Sequence, residues 1–154
     1  KPGEGYEELA NTGHGSAKDR SFLTYDSKRD RLVFANMRDG KGDVYIYDFK
    51  TSKHLRLTPE NKELGAKVSM ARNLEYIPSA DLVFDIMGIC YDPEANKWIR
   101  LDIDTAAVRR RANCSDTTQG MIYDPNRDLI WAASGRGGPH GVAVLKLDAD
   151  SARK

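Results

Sequence analysis

Hydrophobic and polar positions alternate in short runs along this chain, and turn-forming residues separate the runs. Leu32–Phe34, Leu82–Phe84 and Leu129–Trp131 are apolar and β-prone, and each follows a cluster rich in Asp, Asn, Pro or Ser. No segment keeps the 3.6-residue period of an amphipathic helix, although the polar stretch Asp104–Ala112 has room for a helical turn or two. The pattern predicts an all-β fold.

Three segments of the chain repeat one another. Tyr25, Tyr76 and Tyr123 stand at the same place in each segment, just before a turn-forming cluster. The repeating segments are residues 21–58, 70–102 and 117–148. A repeat of this length is typical of a four-stranded propeller blade. The sequence therefore predicts three consecutive blades, each built from short antiparallel strands.

The repeats resemble those of known β-propellers. Asn36–Asp48 followed by Leu55–Thr58 resembles the blade repeat of TolB-type propellers, and Tyr91–Leu101 is similar to a kelch repeat, in which an Asp-turn-Trp sequence enters the outer strand. The third segment is similar to propellers that carry an Asp-Leu-Ile-Trp second strand. The resemblance implies a β-propeller arc of about three four-stranded blades.

The third repeat lacks a fourth strand, whereas Gly5–Leu9 has the aromatic-x-x-Leu spacing of the fourth strands. Propellers typically contain four to eight blades, and an arc of three leaves two apolar blade faces open. We therefore expect either a piece of a larger propeller or a pair of copies that closes a six-bladed ring. In both cases Gly5–Leu9 is predicted to complete a neighbouring blade.

Composition and charge narrow the classes of function. The 154 residues include 24 Lys and Arg against 23 Asp and Glu, a net charge of +1, which argues against a nucleic-acid partner. No apolar run approaches 18 residues, so no membrane span is predicted. Cys90 and Cys114 are either two buried small side chains or a disulfide, which would require an oxidising compartment. A periplasmic or extracellular location is favoured, and no cofactor is expected.

Candidate ligand contacts follow from the resemblance. In propellers, the loops from strand two to strand three and from strand four to the next blade surround one mouth of the channel. Pro59–Lys67 and Asp104–Asp116 are the long connectors on that side. The candidate ligand-binding residues there are His14, Arg38, Arg72, Asn73, Gln119, Arg136 and His140.

No catalytic motif is recognisable. A G-x-S-x-G nucleophile sequence is absent, and no pair of carboxylates has a spacing that indicates glycoside hydrolysis. The leading hypothesis is a non-catalytic platform that recognises a protein or a small extracellular ligand through the channel-mouth loops. The alternative is part of a propeller enzyme, galactose-oxidase-like or carbohydrate-active, in which His14 and His140 would be metal ligands or acid–base groups. A third is a structural arc within a larger complex.

Overall fold

A computed structural model describes residues 21–36, 41–70, 74–86, 88–104, 107, 118–134, 141–148 and 150. Within these residues the protein is mostly β, which agrees with the predicted all-β class, while the propeller arrangement stays a prediction. Three antiparallel sheets follow one another along the chain, and in each sheet the strands pair in the order of the sequence. No helix of the described part is long and apolar enough to cross a membrane.

Sheet 1 contains β1 (Ser21–Asp26), β2 (Arg31–Asn36), β3 (Val44–Asp48) and β4 (Lys53–Leu57). Sheet 2 contains β5 (Leu74–Ile77), β6 (Leu82–Asp85), β7 (Ile89–Asp92) and β8 (Lys97–Arg100). Sheet 3 contains β9 (Thr118–Asp124), β10 (Leu129–Ser134) and β11 (Val142–Leu145). The segment predicted as a further outer strand, Gly5–Leu9, lies outside the described residues.

The first strands of the three sheets are neighbours in space. β1 contacts β5, and β5 contacts β9, so the sheets succeed one another through their leading strands. In the part of the chain that the structure describes, a hydrogen bond joins each neighbouring pair of these strands. The Tyr76 amide donates to Thr24 Oγ1 at 2.9 Å, and the Tyr123 amide donates to Glu75 Oε1 at 3.2 Å.

Helical structure occurs where the hydrophobic pattern did not indicate it. The connector between β4 and β5 forms α1 (Lys62–Gly65) and then a 3₁₀ segment (Ala66–Met70). A helix of four residues is too short to show a period in the sequence, which explains why the pattern missed it. Of the stretch Asp104–Ala112, the structure describes an Asp104 carboxylate that accepts from the Ala107 amide at 2.8 Å.

One hydrophobic core lies between sheets 1 and 2. Sheet 1 contributes alternate residues of β2 and β3, including Val33 and Ile46, and sheet 2 contributes residues of all four strands, including Tyr76 and Trp98. Tyr76, Val83, Tyr91 and Trp98 form one cross-strand row on the face of sheet 2 that meets sheet 1. Burial of the Tyr91 ring raises the pKa of its phenol to about 12.

A second core lies between sheets 2 and 3. The opposite face of sheet 2 contributes Leu82, Phe84 and Cys90, and sheet 3 contributes Ile130. Cys90 is fully buried, so it packs as a small apolar side chain in this core. Cys114 lies outside the described residues, so the alternative of a disulfide stays a prediction.

The connector is fastened to the outer strand of sheet 2 through Trp98. The buried indole Nε1 donates to the Gly42 carbonyl at 2.7 Å, and the backbone of Gly42 lies directly against Lys62 in α1. Glu60 pairs with Lys97 as an isolated parallel bridge. The loop between β2 and β3 therefore lies at the same end of the sheets as the connector.

Gly42→Ala should destabilise the fold by about 2–4 kcal/mol, because Gly42 has φ +68° and an added Cβ would fall on the Lys62 carbonyl oxygen. The matched control is Gly120→Ala, where an added Cβ meets nothing within 4 Å. Urea denaturation measures both. Equal unfolding midpoints for the two variants would contradict the close approach of loop and connector.

Candidate functional site

Most of the predicted ligand-binding residues lie outside the part of the chain that the structure describes. Gln119 lies in β9, where only its backbone is described. The six other candidates, His14, Arg38, Arg72, Asn73, Arg136 and His140, lie outside the described residues. Their role at the channel mouth stays a prediction. The described functional candidates lie instead at the opposite ends of the leading strands, where the turns are.

Each turn that follows a leading strand is fastened by a tyrosine–aspartate hydrogen bond. Tyr25 donates its hydroxyl to Asp30 Oδ1 at 2.7 Å, and the equivalent distances are 2.9 Å for Tyr76 to Asp81 and 2.8 Å for Tyr123 to Asp128. The three aspartates have φ of 53°, 50° and 53°, the left-handed conformation that Asp and Asn tolerate best among residues with side chains.

The turn between β7 and β8 is fastened by an equivalent hydrogen bond. Tyr91 donates to Asn96 Oδ1 at 3.0 Å, and Asn96 has φ 48°. The spacing is five residues in all four cases, so a Tyr followed by Asp or Asn five positions later is the sequence signal for this turn. The sequence pattern assigned these aspartates to turn-forming clusters, but it did not predict that Asp81 and Asp128 contact the preceding sheet.

Arg29 joins the turn of sheet 1 to the turn of sheet 2. Its guanidinium makes a bidentate pair with Asp81, at 2.8 Å from Nη1 to Oδ1 and 2.9 Å from Nη2 to Oδ2. Lys28 Nζ donates to Asp81 Oδ2 at 2.6 Å, and Glu94 Oε2 accepts from Arg29 Nη2 at 2.7 Å. The hydrogen bonds from Arg29, followed by those from Lys28 and Tyr76, hold the pKa of Asp81 well below its usual range.

A fully buried carboxylate completes this ion cluster. Asp26 Oδ2 accepts from Arg31 Nε at 2.9 Å and from Arg29 Nη1 at 3.2 Å, and its Oδ1 accepts from the Arg29 amide at 3.2 Å. A carboxylate with no solvent exposure requires such partners, because burial without them would cost several kcal/mol. The charged groups of the cluster therefore pair with one another and have a structural role.

The junction between sheets 2 and 3 uses the same turn positions with a neutral donor. Ser79, which is equivalent to Lys28, donates its hydroxyl to Asp128, which is equivalent to Asp81. The hydrogen bonds from Ser79 and Tyr123 lower the pKa of Asp128. At both junctions, a turn residue of one sheet therefore reaches the turn aspartate of the next sheet.

A groove of about 520 Å³ runs across the three leading strands beside these turns. Its lining comes from matched repeat positions, with Leu23, Thr24, Tyr25 and Ser27 from sheet 1, Glu75, Tyr76 and Pro78 from sheet 2, and Tyr123 and Pro125 from sheet 3. Because residues from all three repeats meet there, one ligand in this groove would touch every sheet.

Glu75 is the one carboxylate in that lining. Partial burial raises the pKa of Glu75, and the hydrogen bond from the Tyr123 amide opposes the shift. The half-buried carboxylate uses one oxygen to accept from the Tyr123 amide, and its second oxygen can accept from a hydrogen-bond donor or pair with a cation. Sequence reasoning did not select Glu75, because its burial arises only where sheets 2 and 3 meet.

Among the residues with described placement, no group of three or more His, Cys, Asp or Glu could hold a metal ion. The chain matches no family model, no curated protein and no solved structure, so the candidate site stands on its own geometry.

Asp81→Asn should lower the free energy of unfolding by about 2–3 kcal/mol, because the amide can still accept from Tyr76 but cannot form the ion pairs with Arg29 and Lys28. Asp128→Asn is the matched control, since its partners Ser79 and Tyr123 are neutral donors. Urea denaturation near neutral pH measures the difference. Equal losses in the two variants would contradict the role of the Arg29 ion pair.

Acid should remove the same stabilisation. The folded pKa of Asp81 is depressed, so its contribution is fully present above the ordinary aspartate pKa and is lost as the pH falls through the lower folded value. The difference in stability between the wild-type protein and Asp81→Asn should therefore narrow between about pH 6 and about pH 2. A difference that stays constant over this range would show that the carboxylate charge is not the cause.

Proposed function

We propose that the three sheets are successive blades of a β-propeller arc and that the protein is a non-catalytic binding scaffold for a protein or a small extracellular ligand. The arc is supported by the order of the sheets. Each is a meander, each leading strand contacts the next, and the same turn position links sheet to sheet. In a propeller, the leading strands line the central channel.

The groove across the leading strands is the observation that carries the binding function. Matched residues of three repeats line it, and the Thr24–Tyr76 and Glu75–Tyr123 hydrogen bonds hold neighbouring strands at a fixed separation. A rigid, preformed groove loses little conformational entropy when a ligand binds. Tyr25, Tyr123 and the prolines of the lining provide apolar contact area, whereas Tyr76 is buried, and Glu75 provides a polar anchor.

Ligand binding is favoured over catalysis because the turn carboxylates beside the groove already accept hydrogen bonds from other residues of the chain. Asp81 and Asp128 have lowered pKa values and accept hydrogen bonds from neighbouring side chains, so they are fixed as anions in the frame. A general acid or base requires a pKa near the working pH and access to the substrate. Among the carboxylates that the structure describes, Glu75 has a raised pKa, and we assign it to binding through the oxygen that does not accept from the Tyr123 amide.

The ligand we expect is a short extended segment with a hydrogen-bond donor or a positive charge. The groove is open and crosses strands, which suits a peptide or an oligosaccharide, and the Glu75 carboxylate selects a donor group. The channel-mouth loops predicted from the sequence lie at the opposite ends of the leading strands. They remain a second place where the same scaffold would make contacts.

Pro78→Arg should weaken ligand binding, because the long side chain would lie across the middle of the groove. The control is Pro78→Ser, since Ser27 occupies the equivalent turn position in sheet 1. Ligand-observed NMR against a library of short peptides and oligosaccharides identifies binders of the wild-type protein. We expect a loss of at least about tenfold in affinity for Pro78→Arg and no more than about twofold for Pro78→Ser.

Two outcomes would contradict the proposal. A library that yields no binder would remove the binding function for these ligand classes. Binders with the same affinity for wild-type protein and Pro78→Arg would place the site outside the groove. Circular dichroism of both variants checks that the sheets are intact.

A further inference from the structure

We propose that the open face of sheet 3 docks on the open face of sheet 1 in a second copy of this chain, and that an ion pair between Arg127 and Asp30 of the two copies fixes the junction. The inference rests on the blade arrangement of the proposed function, but not on the ligand groove. It starts from a comparison of the three sheets at equivalent positions.

Sheet 1 has one covered face and one open face. On the open side, Leu23 is 61% exposed and Tyr25 is 47% exposed. Their equivalents in sheet 2, Leu74 and Tyr76, are 4% and 3% exposed, because sheet 1 covers them. The open face of sheet 1 is therefore the same kind of surface as the face of sheet 2 that receives a preceding sheet.

Aromatic residues make this open face unusually suited to burial. Phe34 stacks on Tyr45 with ring centroids 5.6 Å apart, and Tyr47 packs edge-on against Phe49 at 5.2 Å. Leu23, Phe34 and Tyr45 lie opposite one another on three adjacent strands. The face thus presents a continuous apolar row of the kind that mediates association between proteins.

Sheet 3 is open on the opposite side. Ile122, Trp131 and Val144 form a cross-strand row and are 64%, 37% and 48% exposed. The equivalents of Trp131 are Val33 in sheet 1 and Phe84 in sheet 2, and each is 1% exposed because a following sheet covers it. This face is the kind of surface that packs against the next sheet in the series.

Charged residues at the turns indicate how the two open faces are oriented at the junction between copies. Arg29 pairs with Asp26 three residues before it and with Asp81 of the next sheet. Arg127 makes the equivalent pair with Asp124, at 2.9 Å, and its side chain is 68% exposed. Among the described residues it has no partner that matches Asp81. Asp30 is the equivalent of Asp81 on sheet 1, and in the described chain its hydrogen bond is with Tyr25.

The two open faces lie at opposite ends of a series of three sheets, so one copy brings them into no contact with each other. A second copy supplies both missing partners at once. Sheet 3 of each copy would pack on sheet 1 of the other copy, as sheet 1 packs on sheet 2 within one copy. Arg127 would then face Asp30 in the way that Arg29 faces Asp81. Such a head-to-tail contact closes when the rotation of two copies completes a ring.

Ile122 makes this junction different from the internal ones. Thr24 and Glu75, at the equivalent position, accept a hydrogen bond from the tyrosine amide of the next sheet, which isoleucine cannot do. The junction between copies therefore depends more on apolar contact and on the ion pair. This difference gives two independent kinds of variant for a test.

The test is sedimentation equilibrium of the purified chain without ligand. We expect a mass twice the 17.2 kDa of one chain. Arg127→Glu should raise the dimer dissociation constant at least about tenfold, and Ile122→Lys should do the same through the apolar part. Arg100→Glu is the control, because this exposed arginine lies in sheet 2, away from both open faces.

Changing the charge at position 30 separates an ion pair between Arg127 and Asp30 from a general loss of stability. Asp30→Asn, which tolerates φ 53° and can still accept from Tyr25, should weaken the dimer of the otherwise wild-type chain, whereas in the Arg127→Glu background it should strengthen the dimer, because it removes the repulsion between Asp30 and the introduced carboxylate. Pro78→Arg should keep the dimer mass, so failure of the junction and failure of the groove are read separately. A monomer at every concentration, or an assembly that Arg127→Glu and Ile122→Lys leave intact, would overturn the proposal.

Discussion

A sheet that is apolar on both faces must be covered on both faces, and this constraint organises the protein. Sheet 2 meets it fully, with Tyr76 and Val83 buried against sheet 1 and Leu82 and Phe84 buried against sheet 3. Removing apolar area from water stabilises by roughly 25 cal/mol per Å², so each covered face contributes more than any single hydrogen bond in the structure. Sheets 1 and 3 each meet the constraint on one face only, which is why we expect an interface at the other.

Apolar burial alone does not define how one sheet lies against the next, because it has no direction. The polar contacts at the turns provide that direction. The tyrosine–aspartate hydrogen bond holds the turn aspartate in a left-handed conformation, and the aspartate then accepts from the preceding sheet. Lys28 and Ser79 stand at the same repeat position and reach the turn aspartate of the next sheet with different chemistry, which indicates that the position matters more than the residue type.

The same arrangement forms the groove that we propose as a binding site. Stacking the sheets through their leading strands leaves a groove across those strands, and the hydrogen bonds that align the strands also fix the groove. Most carboxylates at that end neutralise buried arginine charge or fasten turns. Glu75 differs because one of its oxygens holds the next strand while its pKa is raised by burial. The proposed binding site and the architecture therefore share the same residues, and this limits how far the groove can vary without loss of the fold.

The sequence by itself determined the features that depend on near neighbours. Alternating short apolar runs and turn-forming clusters predicted strands and turns, and the Tyr25, Tyr76 and Tyr123 repeat predicted three similar units. Only the tertiary structure decided which residues meet. Arg29 and Asp81 lie 52 positions apart, and Trp98 reaches Gly42 across 56 positions. Periodicity encodes which way a side chain points along its own strand, but not which sheet it faces. The burial of Glu75, the exposure of Trp131 and the helix at Lys62–Gly65 therefore required the packed chain.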